Sequence, residues 1–362
     1  MRATAECFDF NENEKPLLFP AKQIGSKAKA LLALPGFSGK VLAVLSSMIY
    51  LVSRDGEILW LSREGLPMHR RCILASFQPG SIYVGQNFSL YGPFLRIPEG
   101  GTIDLNQATE WKPFAVGPKH AEPLTVINAC ARRLLEAVTK LGNAKGFGQV
   151  IPQMSPQMSP MISSLVDGNK QAISNADPLL AKARNSILDL ATACFTFDMT
   201  EVTRRGRELV GLGPGLTPSG DDFLGGLLFA AHSLKTAYPQ DFNWEEEPVM
   251  DLIDWASTQT HPISHAILRD HAFGHGPEPL HDVVASLLKG QDLGRTMGGT
   301  ERLLGIGETS GWDILAGMLT GMLFVEGKLS ALPAPSLPLE KGSSKIRMEE
   351  NFDTCRRHQT ED

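Results

Sequence analysis

Two adjacent carboxylates, Asp221 and Asp222, follow a run of glycine, proline and hydroxyl residues in the stretch GLGPGLTPSGDDFLGG, residues 211–226. Gly213, Gly215 and Gly220 permit positive φ and close backbone approach. A turn of this kind at a helix start aims backbone N–H groups at an anion. Pro214 and Pro218 remove two such donors, so a phosphate nest here is incomplete, while Thr217 and Ser219 add hydroxyls. Carboxylates repel an anion. A phosphate held at this turn therefore needs Mg2+ or an arginine to offset the aspartates, and Arg204 and Arg207 stand a helical turn apart just upstream. The chemistry that suits these residues is retention of a small anionic ligand beside a carboxylate.

The motif has a second copy. SGDDFLGGLL (219–228) and SGWDILAGML (310–319) align at a constant offset of 91 residues, matching Ser219 with Ser310, Gly220 with Gly311, Asp222 with Asp313 and Gly226 with Gly317. Each copy follows a Gly-x-Gly, although the register there slips by one. The pairing predicts two related helical halves about a pseudo-twofold axis, with Ser310, Gly311 and Asp313 as candidate ligand-binding residues beside Gly213, Gly215, Thr217, Ser219 and Gly220. Ser219/Asp222 and Ser310/Asp313 also have the form of a capping box, in which the serine and the carboxylate satisfy free N–H groups of the first turn. Thr217 is the alternative cap, with Pro218 as the first helical residue. Asp221 has Trp312 as its counterpart, so capping does not require it, and it is the stronger chemical candidate of the pair.

His261, His265, His271 and His275 form two i,i+4 pairs in HPISHAILRDHAFGH, which can share a helix face and, on a metal-binding reading, a metal ion. No H-E-x-x-H occurs and no acidic residue falls inside either pair, so a structural role is the competing reading, and His261 is the first functional candidate. No G-x-S-x-G nucleophile elbow lies near the motif, and no G-K-[ST] follows the glycines, so Ser219 reads as a cap rather than a nucleophile.

The elements that must position these residues differ between the two halves of the chain. Residues 38–118 read as short strands punctuated by Gly and Pro: KVLAVLSSMIYLV (40–52), EILWLS (57–62), RCILASF (71–77), SIYVG (81–85), FSLYG (88–92), GTIDL (101–105) and WKPFAVG (111–117). They suggest a small barrel or a sandwich. EPLTVINACARRLLEAVTKL (122–141) then carries Val126, Ile127, Cys130, Leu134, Val138 and Leu141 at helical spacing. A proline-bearing loop with a tandem Gln-Met-Ser-Pro at 153–160 follows. From Asp177-Pro178 onward the pattern is helical, with segments near 199–210, 219–237, 248–258, 261–273, 278–289, 296–304 and 311–326. The expected fold is α+β. An N-terminal extension (1–37) precedes a small β-barrel (38–120). An all-helical C-terminal domain (121–332) follows, with a loop or insertion near 142–176 and an internal pseudo-twofold repeat, and 333–362 form a disordered tail.

Of the 362 residues, 42% are hydrophobic and 20% charged, an ordinary globular balance, and the formal net charge of −6 argues against a nucleic-acid footprint. Five widely spaced cysteines without C-x-x-C fit reduced thiols rather than a disulfide framework or a zinc knuckle. The acidic N-terminus lacks the apolar core of a secretory signal, and no apolar run reaches the length of a membrane span, so a cytoplasmic protein is expected.

The Gly-rich string resembles the signature G-x-G-x-G-L-T-P-S-G-D-D of a bacterial family, once catalogued as an uncharacterised carboxylase family, whose characterised relative is the H subunit of the oxamate carbamoyltransferase of anaerobic allantoin degradation. GIGETSGWDILAGML (305–319) and THPISHAIL (260–268) look like that family's downstream blocks. The resemblance covers roughly residues 38–330. It implies a β-barrel followed by a helical domain, and partner subunits of a carbamoyltransferase that exchanges oxalurate plus phosphate with oxamate plus carbamoyl phosphate. By the same resemblance, the backbone donors of Gly213–Ser219 hold the phosphate, with Mg2+ as the companion such ligands commonly bring. Asp221 or Asp222 would orient a metal-bound water, a ligand N–H2 or an arginine. Three functions remain open at this point: a carbamoyl- or carboxyl-transferase subunit that binds a small anion, a non-catalytic structural or regulatory subunit of such a complex, and a metal-assisted amide hydrolase or carboxylase.

Overall fold

The computed structural model describes residues 17–154 and 178–331. Residues 1–16 of the expected N-terminal extension, most of the tandem Gln-Met-Ser-Pro and the expected C-terminal tail lie outside the described residues.

Nine strands form the N-terminal half: β1 (Leu18–Gly25), β2 (Ser38–Val44), β3 (Met48–Ser53), β4 (Ile58–Ser62), β5 (Cys72–Ala75), β6 (Asn87–Tyr91), β7 (Phe94–Ile97), β8 (Gly101–Asp104) and β9 (Thr109–Trp111). Eight of them close a barrel in the order β1-β5-β4-β3-β2-β6-β7-β8. β1 closes the ring because it changes partner along its length. Leu18–Pro20 run parallel to β8, Ala21–Ile24 pair antiparallel with β5, and Gln23–Gly25 hold β9. Helix α1 (Ser26–Leu32) follows β1 and buries Ala28, Leu31 and Leu32 against the barrel core. The barrel therefore begins at Leu18, and the expected boundary at 38 is too late. The expected strand 40–52 breaks at the Leu45–Ser47 turn into β2 and β3. No strand forms over 81–85, and the 111–117 expectation keeps only Trp111, as the end of β9.

Side chains alternate across a strand. On β3 and β4, Ile49, Leu51, Leu59 and Leu61 fill the barrel, whereas Tyr50, Ile58 and Trp60 point to the other face. That second face is also buried. It packs on Ile263 and Ala266 of helix α7 (Pro262–Ala272) and on Leu216 of the Gly-rich turn. A buried ion pair joins the two halves at the same junction: Arg71 Nε and Nη2 donate to Asp270 Oδ2 and Oδ1 at 2.6 and 3.0 Å.

The helical half comprises α2 (Leu124–Leu141), α3 (Pro178–Phe195), α4 (Met199–Gly206), α5 (Ser219–Ala237), α6 (Glu247–Ala256), α7, α8 (Glu278–Leu288), α9 (Leu293–Leu304), α10 (Ser310–Gly321) and α11 (Leu323–Ser330). On α2, Ile127, Cys130, Leu134 and Val138 are buried as their spacing predicts, while Val126 and Leu141 are exposed. The expected insertion near 142–176 starts with ordered structure. Gly146–Met154 form a 3-10 helix whose Phe147, Val150 and Ile151 enter the core. No described helix is long and apolar enough to cross a membrane.

At the centre, α5 and α10 are buried around their whole circumference over 219–231 and 311–321, as helices apolar on every side must be. Their contact is reciprocal. A Cβ on Gly226 would stand 2.0 Å from Ile314 O, and a Cβ on Gly317 would stand 1.8 Å from Phe223 O. Each pair maps onto the other by the sequence offset. The starts match too: Gly220 and Gly311 press against the carbonyls of Leu209 and Leu303, at 1.9 and 2.0 Å from a built Cβ. Only glycine admits such backbone approach: Gly226 and Gly317 hold the two helices together about the pseudo-twofold axis, while Gly220 and Gly311 seat each helix start on the segment that precedes it.

Candidate functional site

The two helices start side by side. Thr217 Oγ1 lies 3.2 Å from Ser310 Oγ, the reciprocal Gly226 and Gly317 contacts lie further along, and Gly321 then meets Ala230. Both helices thus run in the same direction, with their N-terminal ends adjacent. Each end carries the positive pole of a helix dipole and up to four N–H groups without an intrahelical acceptor. Two such ends together favour negative charge between or above them.

The turns that lead into the helices are built alike. Gly220 N–H donates to Leu212 O at 2.9 Å and Gly311 N–H to Ile306 O at 3.0 Å. Asp222 N–H donates to Pro218 O at 3.1 Å and Asp313 N–H to Thr309 O at 2.9 Å. Pro218 and Thr309 are the cap residues, and neither makes a side-chain cap. Ser219 and Ser310 are already the first helical residues. The expected capping boxes are therefore absent, as is the alternative cap at Thr217. The N–H groups of Gly213, Gly215, Leu216, Thr217 and Ser219 on the first turn find no acceptor among the described residues, and those of Gly307 to Ser310 on the second find none either. Gly213 and Gly215 hold φ of +131° and +91°, which the glycines supply at no steric cost. Gly215 and Gly307 are exposed and Thr217 and Ser310 half-buried, so the donor rows face solvent at their crest.

The two adjacent aspartates have opposite roles. Asp221, 2% exposed, accepts from Gly211 N–H at 2.8 Å, from Ser264 Oγ at 2.6 Å and from Thr260 Oγ1. Both of its oxygens are occupied. It pins the Gly-rich turn to the start of α7, and this is the physical reason that it does not present a free carboxylate to a ligand. Asp222, 3% exposed, lies beside the hydroxyls of Ser310 and Thr217, yet its Oδ2 is buried without a hydrogen-bond partner among the described residues. Burial pushes its carboxyl well above the usual carboxylate range. The Ser310 hydroxyl opposes that shift, Asp313 and Asp221 add to it, and Thr217 opposes it again.

Asp313 is buried on α10, and its Oδ1 accepts the N–H of Phe147 at 2.6 Å. Gly146 touches that same oxygen, and Gly148 lies on the Trp312 ring. Residues 146–148 therefore brace the second helix start, a role that the sequence signalled only through Gly-Phe-Gly. Tyr50 reaches the site from the barrel. Burial first, and Asp222 second, push its phenol upward. Neither residue was a candidate on spacing alone.

The remaining candidates lie apart from the paired tips. His261 caps α7, its Nδ1 accepting the N–H of Ile263 at 3.2 Å, and His265 Nε2 bonds Ile253 O at 3.1 Å. The first i,i+4 pair is thus spent on backbone. His271 is buried at 1% exposure, where a Cβ on Gly225 would come within 2.4 Å of its Nδ1. His69 stacks on Trp60 at 4.9 Å between barrel and helices. Burial depresses His69 and takes His271 down to about 3. Arg204 pairs with Glu201, and Arg207 lies over the Trp255 ring at 5.5 Å, so neither is committed to the turn.

A resident Mg2+ does not suit this donor set. Asp221 has no oxygen to spare, Asp222 offers one, and no group of three or more His, Cys, Asp or Glu among the described residues could hold a metal ion. What the arrangement offers is a row of hydrogen-bond donors for an anion and, behind it, the Asp222 Oδ2, which has no hydrogen-bond partner among the described residues.

No solved structure matches the chain. Residues 209–322, which carry both turns and both axial helices but not the barrel, match the family model of the oxamate carbamoyltransferase subunit AllH, and the match supports the family recognised in the Gly-rich signature.

Proposed function

We propose that this chain is the anion-holding subunit of a multi-subunit oxamate carbamoyltransferase, and that it binds the substrate where the starts of α5 and α10 meet. One observation carries the proposal. Two rows of backbone N–H groups without an acceptor among the described residues and a hydrogen-bonded hydroxyl pair, Thr217 and Ser310, converge at two adjacent helix N-termini inside the segment that matches the family. In the reaction, a phosphate oxygen attacks the ureido carbonyl carbon of oxalurate. The bond from that carbon to the oxamate nitrogen breaks, the nitrogen takes up a proton, and oxamate and carbamoyl phosphate leave. Every species in that exchange is an anion. Preorganised N–H donors in a partly buried site hold such charge without reorganising as the reaction proceeds. Gly213, Gly215, Ser219, Gly220 and Gly311 shape the donor rows, while Thr217 and Ser310 add hydroxyls.

A bracing role without chemistry is the second reading. It is favoured by the use of Asp221 and His261 on internal hydrogen bonds. Phosphate-dependent conversion of oxalurate to oxamate separates the two. The chain would be assayed with its co-purified partner subunits, as wild type and as Ser310→Ala with Thr217→Val. Assembly with loss of turnover in the double variant supports the anion-holding subunit. Unchanged turnover in that variant supports the brace.

A further inference from the structure

We infer that Asp222 is the specificity-determining residue of this site, its Oδ2 accepting a hydrogen bond from the N–H2 of a small ligand whose anionic end sits on the helix starts. The inference rests on the proposed function and adds to it the ligand's second recognition point. The geometry is bipolar. The turns offer donors and no charge-bearing acceptor, whereas behind Thr217 and Ser310 the Asp222 side chain is buried and its Oδ2 makes no hydrogen bond among the described residues. A buried acceptor without a donor costs stability and persists where something outside the chain completes it. A solvent cation would have to dehydrate to reach one oxygen. A planar amide or carbamoyl group brings a neutral donor of the right size and sign.

The complementary ligand class is therefore a short molecule with a carboxylate or phosphate at one end and an N–H2 on the adjoining carbonyl. Oxamate and carbamoyl phosphate both belong to it. Pyruvate carries methyl in place of the N–H2 of oxamate at nearly the same shape. Binding of pyruvate leaves Oδ2 unpaired, so the site discriminates through that one hydrogen bond. Asp313, at the equivalent position on α10, has its Oδ1 held by the Phe147 N–H, and Asp221 is occupied by three donors.

The test is calorimetric titration of the full chain with oxamate and with pyruvate, for wild type and for Asp222→Ala and Asp222→Leu, which carry no acceptor, with thermal unfolding to show that each variant is folded. Wild type is expected to bind oxamate roughly 10- to 100-fold more tightly than pyruvate, as the penalty for leaving a buried acceptor unpaired requires. Both variants are expected to bind the two ligands within about twofold of each other. Equal binding of both ligands by wild type, with both lost in Ser310→Ala, overturns the role of Asp222 and leaves the anion site standing. Retained preference in both Asp222 variants overturns it as well. Binding of neither ligand by wild type overturns the anion site and this inference with it.

Discussion

Replacing Asp221 with alanine should unfold the turn rather than disarm a catalyst. The carboxylate satisfies three groups: the Gly211 N–H at 2.8 Å, the Ser264 hydroxyl at 2.6 Å and the Thr260 hydroxyl. Hydrogen bonds to a charged group contribute about 1.5–3 kcal/mol each, and an orphaned buried donor costs about 1–3 kcal/mol. Hydroxyls can turn toward other acceptors, whereas the Gly211 N–H cannot, since its φ of +72° is held by the turn. The loss should therefore be about 3–5 kcal/mol, a large part of the roughly 5–15 kcal/mol that stabilises a typical domain. At about 2–4 °C per kcal/mol, the melting temperature should fall by roughly 6–20 °C. Asp221→Asn should fall between wild type and Asp221→Ala, because its amide oxygen can still accept. Differential scanning calorimetry of the three proteins at pH 7 measures this. A melting temperature for Asp221→Ala within about 2 °C of wild type would refute the pinning role and reopen Asp221 as a functional carboxylate.

Gly226→Ala and Gly317→Ala should each destabilise by about 1–3 kcal/mol or more in urea unfolding, although alanine favours a helix by about 1 kcal/mol, because each new Cβ meets the partner helix's carbonyl at 2.0 or 1.8 Å. A neutral effect at either position would contradict the reciprocal contact. Asp222→Asn should stabilise the empty protein at neutral pH and lose that advantage in acid. The folded-state carboxyl is raised above its unfolded value of about 4, so its contribution is fully present below that value and is lost as pH rises through the folded one. Unfolding free energies of the pair that differ equally at pH 4 and pH 8 would contradict this sign. The buried histidines act in the opposite sense. Burial holds His69 well below its usual range and lowers His271 to about 3 and His281 to about 4. Their contribution is complete above the unfolded value of about 6.5 and is lost as pH falls toward 4, by up to about 1.4 kcal/mol per pH unit for each. His271→Phe should make the acid limb of the stability curve shallower by about one proton, and an unchanged slope would show that His271 does not bind its proton on unfolding.

Local pattern carried some of this architecture. The bounds of α5 were legible at 219–237, and the repeat was legible from ten residues, because glycine at a helix crossing leaves a mark that spacing preserves. β1 was not legible. It contains Pro20 and Gly25, lacks a clean alternation, and owes its existence to three partner strands that are distant in sequence. The serine and aspartate three apart imitated a capping box, yet both helices begin one residue earlier than that device requires, from Pro218 and Thr309. The internal hydrogen bonds of Asp221 were not legible for a similar reason. What satisfies Asp221 comes from Thr260 and Ser264, some forty residues downstream, and no local spacing reports a partner at that distance. Tyr50 and Phe147 reach the site from the barrel and from a proline-bearing segment, which only the tertiary fold brings there.

The most direct test of an anion-holding site at the paired helix starts is a crystal structure of the chain soaked in oxamate. The carboxylate should appear within about 3 Å of the backbone nitrogens around Ser219 and of the Ser310 hydroxyl, with the amide nitrogen directed at Asp222. Well-ordered oxamate bound elsewhere on the chain, with the two turns bare, would contradict it.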